Sequence, residues 1–306
     1  MDISKYMGKV ISVHKDADGI ASGVLLGEVL KPSRVLFPEV FGDYTGNPDI
    51  MADMKPIDSQ YKGLVIDHHG NYPEDKQYEL ITGSKPASLL VYELLKDKIP
   101  VNHHWKVVAG IVGDAQPSMT PIEIIEKNDE LFYTTDKIYV SYGSMKIYHN
   151  PIWFLLSGGI NDACRCGKPE LAYNVLKSAN TPMDVMSDIA LIGCSEDVDK
   201  EEKAMKEDFI PFTIKNKVTV WHINSGYGIE SLLATKLFAE THTTILVINE
   251  RNKKLSIRGI LCDYIRVKLA DMAEIGGHLG GDGYFGGSIK PNIKSSEFLD
   301  KLKSVL

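Results

Sequence analysis

The stretch Leu64-Val65-Ile66-Asp67-His68-His69-Gly70 gives the clearest structural signal in the sequence. A short apolar run ends there in an acid, two histidines and a glycine, a pattern typical of a buried strand followed by a turn. Open α/β sheets bind ligands just beyond the carboxyl ends of such strands. Aspartate and histidine bind metal ions, and histidine also acts as a general acid or base. An ordinary strand end, with a turn-forming acid and two solvated histidines, would have the same sequence. The assignment of a functional site therefore depends on acids elsewhere in the chain.

Length and composition indicate a globular protein with two domains. The chain has 306 residues, of which 43% are hydrophobic and 25% charged, and this length exceeds what one small core accommodates. No run reaches the ~18 apolar residues of a membrane span, and the N-terminus lacks a charged-then-apolar targeting signal. We therefore expect a cytoplasmic protein that does not bind membranes. The four cysteines form no disulfide or zinc pattern and are expected to be reduced thiols.

Charge is unevenly distributed along the sequence. Residues 211–306 carry 13 Lys and Arg against 9 Asp and Glu, whereas residues 1–210 carry 21 against 32. An acidic part that binds cations and a basic part that binds an anion would give this distribution. Chance variation on solvated surfaces would give it equally well, so charge alone does not assign a function.

A second group of polar residues follows the first predicted strand, which ends at His14. Asp16 and Asp18 follow at two-residue spacing, before a predicted helix over Ile20–Leu30. Asp18 could merely cap that helix, but three potential metal ligands exceed what a cap needs. A calcium-binding loop is excluded because its twelfth position holds Leu25 instead of glutamate, and because a strand precedes it.

The remaining N-terminal elements alternate between strands and helices, which predicts a parallel α/β sheet. The other predicted elements are strands over Arg34–Phe37, Asp49–Asp53 and Gly63–Ile66, a helix over Pro86–Lys96, and an apolar run over Lys106–Val112. Ligand-type side chains at or just after the apolar runs are His14, Asp16, Asp18, Asp53, Asp67, His68 and Asp114. So many converging acids would repel one another without bound cations. Carboxylate and imidazole together favour Mn²⁺ or Mg²⁺ over softer metals.

This pattern resembles the DHH phosphoesterase superfamily, through Asp67-His68-His69, His14-x-Asp16-x-Asp18-Gly19, Asp53 and Asp114. The resemblance implies two metal ions, usually Mn²⁺, with Asp53 bridging them. One site would be completed by Asp18, His68 and Asp114, and the other by Asp16 and His14. It also implies that His69 faces the substrate phosphate and that Asp67 and His69 serve catalysis.

The position of the first histidine distinguishes branches of this superfamily. The inorganic pyrophosphatases place a histidine four residues before the first aspartate of the motif, where this chain has Ser12. The spacing of His14, two residues before Asp16, resembles the RecJ-like branch instead. Two roles stay open for His14, as a direct metal ligand or as a residue that supports one.

A glycine-containing stretch over residues 157–167 resembles the Ile-Asn-Ala-x-Gly-Arg-x-Gly segment of RecJ-like nucleases. The matching residues are Ile160, Asn161, Arg165 and Gly167. Asp162 and Cys164 depart from the usual small residues. The resemblance implies that Arg165 holds a substrate phosphate, a role that suits the fixed geometry of guanidinium. The alternative is a glycine-rich loop with an ordinary surface arginine.

Composition and helix-breaking residues divide the chain into three predicted segments. We expect a DHH metal-binding catalytic domain over residues 1–182, a helical linker over 183–210, and a DHH-associated substrate-binding domain over 211–306. Within the last segment, Gly226-x-Gly228-x-x-Ser231 followed by Glu250 imitates a dinucleotide-binding fingerprint. The third glycine of that fingerprint is missing, which leaves a nicotinamide or flavin site as a minor alternative.

Glycines surround His278 near the C-terminus, in Ile275-Gly276-Gly277-His278-Leu279-Gly280-Gly281-Asp282-Gly283-Tyr284. Glycine lets backbone amides approach an anion closely. The stretch resembles the Gly-Gly-His signature of the DHH-associated domain, although Leu279 and Gly281 replace a frequent proline and alanine. The resemblance implies that His278 and the upstream Arg258 contact the nucleotide, together with Gly276 and Gly277.

The sequence as a whole predicts a two-domain α/β hydrolase whose active site lies in the cleft between the domains. The expected reaction is metal-assisted hydrolysis of short single-stranded oligonucleotides. Alternatives are a phosphatase for adenosine 3′,5′-bisphosphate, a cyclic-dinucleotide phosphodiesterase and, from another class, a non-catalytic nucleotide-binding module. The intact acid set argues against the last of these. The oligomeric state stays open, with a homodimer as one option.

Overall fold

The computed structural model describes residues 2–70, 72–128, 138–142, 145–149, 151–276 and 284–306. The chain divides into two compact units. Unit 1 comprises Met1–Ile138 and His149–Ser195, and unit 2 comprises Tyr139–Tyr148 and Glu196–Leu306. The division falls inside a long helix, Ile189–Asp208, within the segment for which the sequence predicts a helical linker. The domain boundaries taken from the sequence stay a prediction.

Unit 1 contains a five-stranded sheet in the order β2-β1-β3-β4-β5, in which every neighbouring pair is parallel. Its strands are β1 (Val10–Val13), β2 (Arg34–Leu36), β3 (Ile50–Ala52), β4 (Leu64–Ile66) and β5 (Glu79–Ile81). The central strands β1, β3 and β4 are almost entirely buried, as parallel strands covered on both faces must be. The predicted parallel α/β fold is confirmed.

Seven α-helices lie wholly within the described part of unit 1. They are α1 (Ala17–Leu30), α2 (Ala87–Leu95), α3 (Val107–Gly113), α4 (Ile122–Ile125), α5 (Pro151–Arg165), α6 (Pro169–Ser178) and α7 (Pro182–Met186). Helix α1 packs against α2, α3 and α6 and buries nearly every residue. The apolar run before Asp114 forms helix α3. The glycine-containing stretch 157–167 lies mostly in helix α5, so the alternative of a loop there is wrong.

Alternate residues of the central strands face two different layers. Ile50, Ala52, Leu64 and Ile66 join the main core with the helices. Met51 and Val65, between them, join Met54, Tyr61 and Tyr78 on the opposite face. That second face is covered by loops rich in tyrosine instead of helices, so the loops lie next to the strands that carry Asp53 and Asp67.

Unit 2 contains a six-stranded mixed sheet in the order β12-β13-β11-β10-β9-β8. Its strands are β8 (Phe212–Ile214), β9 (Val218–Ile223), β10 (Thr244–Asn249), β11 (Lys254–Arg258), β12 (Ala273–Gly276) and β13 (Tyr284–Ile289). Helix α8 (Ile189–Asp208) crosses from unit 1, and α9 (Glu230–Thr241), α10 (Cys262–Lys268) and α11 (Ser295–Val305) complete the unit. The strands β6 (Ile138–Tyr142) and β7 (Met145–His149) form a separate short pair. The predicted second α/β domain is thus confirmed as a fold.

No helix among the residues that the structure describes is long and apolar enough to cross a membrane.

Candidate metal centre

The polar residues of the DHH stretch lie at one edge of the unit 1 sheet because parallel strands end at the same edge. The backbone ladder continues just past the strands, with His14 N–H donating to Ala52 C=O at 3.2 Å and Asp53 N–H to Ile66 C=O at 2.8 Å. Asp67 N–H donates to Ile81 C=O at 3.0 Å. The side chains of His14, Asp53 and Asp67 therefore start from adjacent, fixed backbone positions.

Asp53 lies at the middle of this edge and is fully buried. Its backbone φ is +58°, in the left-handed region that aspartate tolerates better than most residues. One carboxylate oxygen, Oδ2, lies 3.3 Å from His14 Nδ1, and the other, Oδ1, lies 3.3 Å from His68 Nε2. Asp53 thus faces a different histidine with each oxygen.

The turn before α1 contributes to one side of Asp53. Asp16 accepts the Gly19 N–H at 2.9 Å as the N-cap of α1, and its other oxygen lies 2.8 Å from His14 Nδ1. The cap is therefore Asp16 and not Asp18, which the sequence offers as the cap, and capping fixes the Asp16 carboxylate at the helix start. His14, Asp16 and Asp53 place their ligand-type atoms within 4.8 Å of one another.

The other side of Asp53 is formed by residues from three elements. His68 Nε2 lies 3.1 Å from Asp114 Oδ2 and 3.7 Å from Asp18 Oδ2. Asp114 caps the C-terminal end of α3, so a helix end, not a strand end, supplies it. Asp18, His68 and Asp114 form a second group within 4.8 Å, and Asp53, His68 and His69 form a third.

Asp18 is held by the N-terminus of α2. It accepts the Ala87 N–H at 2.6 Å and the Ser88 N–H at 2.9 Å, and only 1% of its surface is exposed. These are backbone donors that a helix start leaves without intrahelical partners. Gly110 of α3 passes so close that a Cβ there would lie 2.6 Å from Asp18 Oδ1. The carboxylate is therefore fixed in orientation by three helices.

Asp67 and His69 form a separate pair beside these groups. Asp67 Oδ1 lies 2.5 Å from His69 Nδ1, and Asp67 Oδ2 accepts the Tyr72 hydroxyl at 2.8 Å. Phe41 packs edge-on against both His69 and His14, with ring centroids 4.9 and 5.1 Å apart. Asp67 belongs to none of the three groups found among the described residues, and its contact with His69 suits it to orient that ring.

Electrostatics separates the aspartates into two classes. Burial, followed by repulsion from Asp16, Asp18 and Asp114, raises the pKa of Asp53 well above its usual value. Burial likewise raises the pKa of Asp18 and of Asp114. Burial acts in the same sense on Asp16, but the charge and hydrogen bond of His14 outweigh it and lower the Asp16 pKa. Ionising the buried carboxylates together is thus unfavourable in the absence of a cation.

The donor set fits divalent metal ions. Four carboxylates and three imidazoles meet around Asp53 in groups small enough for one ion each. A bound cation would offset the repulsion that raises the aspartate pKa values. This mixture of hard oxygen and borderline nitrogen ligands suits Mn²⁺ and Mg²⁺. The residues that the sequence singles out as ligands are brought together, while their assignment as ligands stays a proposal.

Comparison with solved structures places this fold. RecJ from Thermus thermophilus in complex with Mn²⁺ superimposes with a TM-score of 0.65 at 17% identity over 97% of this chain, and the chain spans 52% of that protein. The DHH domain of a protein described as a member of a family of ribosomal proteins gives a TM-score of 0.62 at 14% identity, covering 99% of this chain and 87% of the other. The chain has the fold of the DHH superfamily.

A third structure of similar length has a related fold. The pGpG-specific phosphodiesterase PggH from Vibrio cholerae gives a TM-score of 0.51 at 14% identity, covering 97% of this chain and 98% of that protein. No protein-family profile and no curated protein sequence matches this chain.

The segment that resembles the RecJ-like motif contacts the turn that carries Asp16 and Asp18. Asn161 of α5 accepts the Ala17 N–H at 2.8 Å, between Asp16 and Asp18. One turn later, Arg165 Nη1 donates to Asp162 Oδ1 at 2.6 Å. The aspartate that departs from the family pattern is therefore the ion-pair partner of the arginine expected to bind phosphate.

The predicted substrate residues of unit 2 are described in part. Arg258 is buried and donates to the hydroxyls of Thr235, Ser256 and Ser231 at 2.9, 2.8 and 2.6 Å. Ser231 occupies the third position of the dinucleotide-like motif, and it holds this arginine. Gly276 is the last residue of β12, whereas Gly277 and His278 lie outside the described residues.

Sequence reasoning missed two residues that contact side chains of the candidate site: Phe41 and Tyr72. Phe41 lies in a loop with no periodic pattern, and Tyr72 lies in a turn-rich segment next to Pro73. The contacts of Phe41 with the His14 and His69 rings, and of Tyr72 with Asp67, depend on how loops fold over the sheet. The only available signal was position, because Tyr72 follows the DHH triplet by three residues.

Proposed function

We propose that this chain is a divalent-metal-dependent phosphoesterase that hydrolyses phosphodiester bonds of short single-stranded oligonucleotides. The observation that carries the proposal is Asp53, whose two oxygens face different groups of ligand-type side chains. A carboxylate in that position suits a bridge between two ions, and pairs of metal ions recur in enzymes of phosphoryl transfer. Mn²⁺ is the preferred occupant and Mg²⁺ the second.

The two sites are assigned from the groups around Asp53. Asp16 and His14 would hold one ion, and Asp18, His68 and Asp114 the other, with Asp53 common to both. We assign His14 as a direct ligand because it lies 2.8 Å from Asp16 and 3.3 Å from Asp53. Bound divalent ions would supply positive charge for the phosphate and acidify the attacking water.

We assign His69 the role of protonating the leaving group. A carboxylate only accepts hydrogen bonds, so Asp67 fixes the His69 proton on Nδ1, 2.5 Å away, and directs Nε2 to the substrate. Hydrolysis forms a bond from a water oxygen to phosphorus and breaks the bond to the leaving nucleoside oxygen. Protonated His69 would donate the Nε2 proton to that oxygen, and Asp67 would stabilise the imidazolium.

One observation favours nucleotide substrates, and a second favours small ones. Arg165, one turn from the residue that contacts Ala17, and Arg258 in unit 2 are guanidinium groups suited to phosphates. The chain matches nearly the whole length of a pGpG-specific phosphodiesterase but about half of RecJ. We propose that unit 2 contributes nucleotide binding through Arg258 and the glycine-rich segment with His278.

A product-resolved assay tests this function. End-labelled di-, tri- and decanucleotides are incubated with Mn²⁺ or Mg²⁺, alongside adenosine 3′,5′-bisphosphate and a cyclic dinucleotide. We expect the shortest strands to be cleaved fastest. Asp53→Asn should lower activity and bound metal by at least about tenfold, whereas Asp75→Asn, in an exposed loop, should change neither.

Other outcomes of this assay would favour one of the alternative functions. Release of phosphate from the bisphosphate alone would identify a phosphatase, and cleavage of the cyclic dinucleotide alone would identify a phosphodiesterase of that class. Nucleotide binding without any hydrolysis would support the non-catalytic module.

A further inference from the structure

A chain of hydrogen bonds extends from the DHH triplet to the edge strand of the unit 1 sheet. Thr82, directly after β5, donates its hydroxyl to the Tyr72 hydroxyl oxygen at 3.0 Å. Tyr72 donates to Asp67 Oδ2 at 2.8 Å, and Asp67 Oδ1 pairs with His69 Nδ1 at 2.5 Å. We call these four residues the Tyr72 network.

The polarity of the Tyr72 network is determined by its chemistry. Because the Asp67 carboxylate only accepts, Tyr72 must donate to one oxygen and His69 Nδ1–H to the other. The Tyr72 oxygen then accepts from Thr82, and the Gly70 N–H points toward it at 3.4 Å. The backbone N–H of His69 also approaches Asp67 Oδ2 at 3.3 Å. Each donor thus has a defined acceptor, and no alternative arrangement keeps both bonds to Asp67.

Burial makes this arrangement rigid. Asp67 is fully buried, so an Oδ2 that lost the Tyr72 hydroxyl would keep only the longer 3.3 Å contact with the His69 N–H and would gain no hydrogen bond from bulk water. The carboxylate would rotate to satisfy that oxygen and would release the His69 ring. Phe41 contacts the ring edge-on with a centroid distance of 4.9 Å, which restricts tilting but donates no hydrogen bond. The Tyr72 hydroxyl therefore controls the rotamer of Asp67.

We propose that Tyr72 is a positioning residue for hydrolysis, whose hydroxyl holds Asp67 so that His69 presents Nε2 to the leaving oxygen. The proposal rests on the proposed function, in which His69 protonates that oxygen. Tyr72 acts on the reaction only through Asp67 and does not bind metal. Its loss should consequently slow reactions whose leaving group needs a proton and spare those whose leaving group does not.

Two tyrosine variants test the role of the hydroxyl. Tyr72→Phe removes only the hydroxyl. Tyr78→Phe is the matched control, because the Tyr78 hydroxyl is buried at the end of the same loop and makes no hydrogen bond within the described chain. Thr82→Val is a milder variant, because it removes the hydroxyl that donates to Tyr72 and leaves the hydrogen bond from Tyr72 to Asp67 in place.

The kinetic readout compares two substrates with Mn²⁺. One is a dinucleotide, whose leaving alkoxide must be protonated. The other is the p-nitrophenyl ester of thymidine 5′-monophosphate, whose leaving phenolate needs no proton. Tyr72→Phe should lower kcat about tenfold on the dinucleotide and less than about twofold on the ester. The tenfold loss is a small part of what general acid catalysis contributes to a rate. KM and bound metal should not change, and Thr82→Val should have a smaller effect in the same direction.

A second readout does not depend on activity. In ¹⁵N-histidine NMR spectra of the Mg²⁺-loaded protein, recorded at a pH high enough for the imidazole to be neutral, the wild type and Tyr78→Phe should show the His69 proton on Nδ1, with its signals identified from a His69→Gln spectrum. Tyr72→Phe should show a mixture of tautomers.

Three results would overturn the role of Tyr72: an unchanged His69 tautomer, equal loss of kcat on both substrates, or loss of metal in Tyr72→Phe. If the wild type cleaves neither substrate, the proposed function fails, and the NMR comparison still decides whether Tyr72 positions His69.

Discussion

Asp53 occupies a position where an aspartate is unfavourable unless a cation is bound. It is fully buried, has a backbone φ of +58° and is surrounded by other carboxylates. Burial and those neighbours raise its pKa in the folded state well above the value in the unfolded chain. Such a group stabilises the fold while it is protonated, at a pH below about 4, and this contribution is lost as the pH rises toward the folded-state pKa.

The raised pKa of Asp53 leads to a prediction for the metal-free protein. Asn at position 53 has no proton to lose and tolerates the left-handed backbone. In EDTA, Asp53→Asn should therefore be more stable than the wild type at pH 7. This difference in the free energy of unfolding between the variant and the wild type should become smaller as the pH falls to about 4. Urea unfolding at pH 4.5, 6 and 7.5 measures it.

Excess Mn²⁺ provides the control for this comparison. Mn²⁺ at the proposed sites would stabilise the folded wild type by mass action, so the order of stability should reverse. A gap that stays constant across the pH range would show that Asp53 ionisation does not contribute to it.

At the scale of elements, three helices converge on the metal centre through close contacts. Helices α1 and α2 meet at Asp18, and α3 approaches both because Gly110 has no side chain. A Cβ at Gly110 would lie 2.3 Å from Ser88 Oγ, and a Cβ at Gly113 would lie 2.7 Å from the Ala17 Cβ. The geometry of the Asp18 carboxylate therefore depends on glycines in a helix that contributes only Asp114 to the site.

Substituting Gly110 with alanine tests this packing. The added methyl group must displace Ser88 and Asp18, so Gly110→Ala should lower the free energy of unfolding by about 1–3 kcal/mol and weaken Mn²⁺ binding. Gly158→Ala in helix α5 is the matched control, because a Cβ there meets no atom within 4 Å among the described residues. It should raise stability by up to about 1 kcal/mol through helix propensity. Equal effects of the two substitutions would contradict this account.

The elements also show what the sequence could predict. Strands β1, β3 and β4 are recognisable because short apolar runs end abruptly in polar residues, and their parallel pairing brings Asp53 and Asp67 together. The start of α1 lies three residues before the predicted one, since Asp16 to Gly19 favours a turn as well as a capped helix. The seven-residue run of α3 has no distinguishing period, and Gly158-Gly159 disguises α5. Tyr72 and Phe41 are unpredictable because their roles arise only from loop packing.

At the scale of the whole molecule, the two units have separate cores. The main core of unit 1 joins its helices to β1, β3 and β4, while that of unit 2 joins α10 and α11 to β9, β10 and β11. All three metal-type groups found among the described residues lie in unit 1. Arg258 and its three hydroxyl partners lie in unit 2. The candidate metal-binding groups and the proposed nucleotide-binding arginine thus belong to different units of the chain.

This division predicts that metal stabilises one unit selectively. Binding to the folded state adds about 2.7 kcal/mol when the ion is present at a hundred times its dissociation constant, and regions that open separately gain it separately. In hydrogen-exchange mass spectrometry, Mn²⁺ should slow exchange of the β3 and β4 amides by up to about a hundredfold. Amides of β9 and β10 should exchange as before, and the Asp53→Asn variant should show no slowing in either unit. Equal protection of both units in the wild type would mean that they open together or that unit 2 binds metal itself, and would contradict the division of roles.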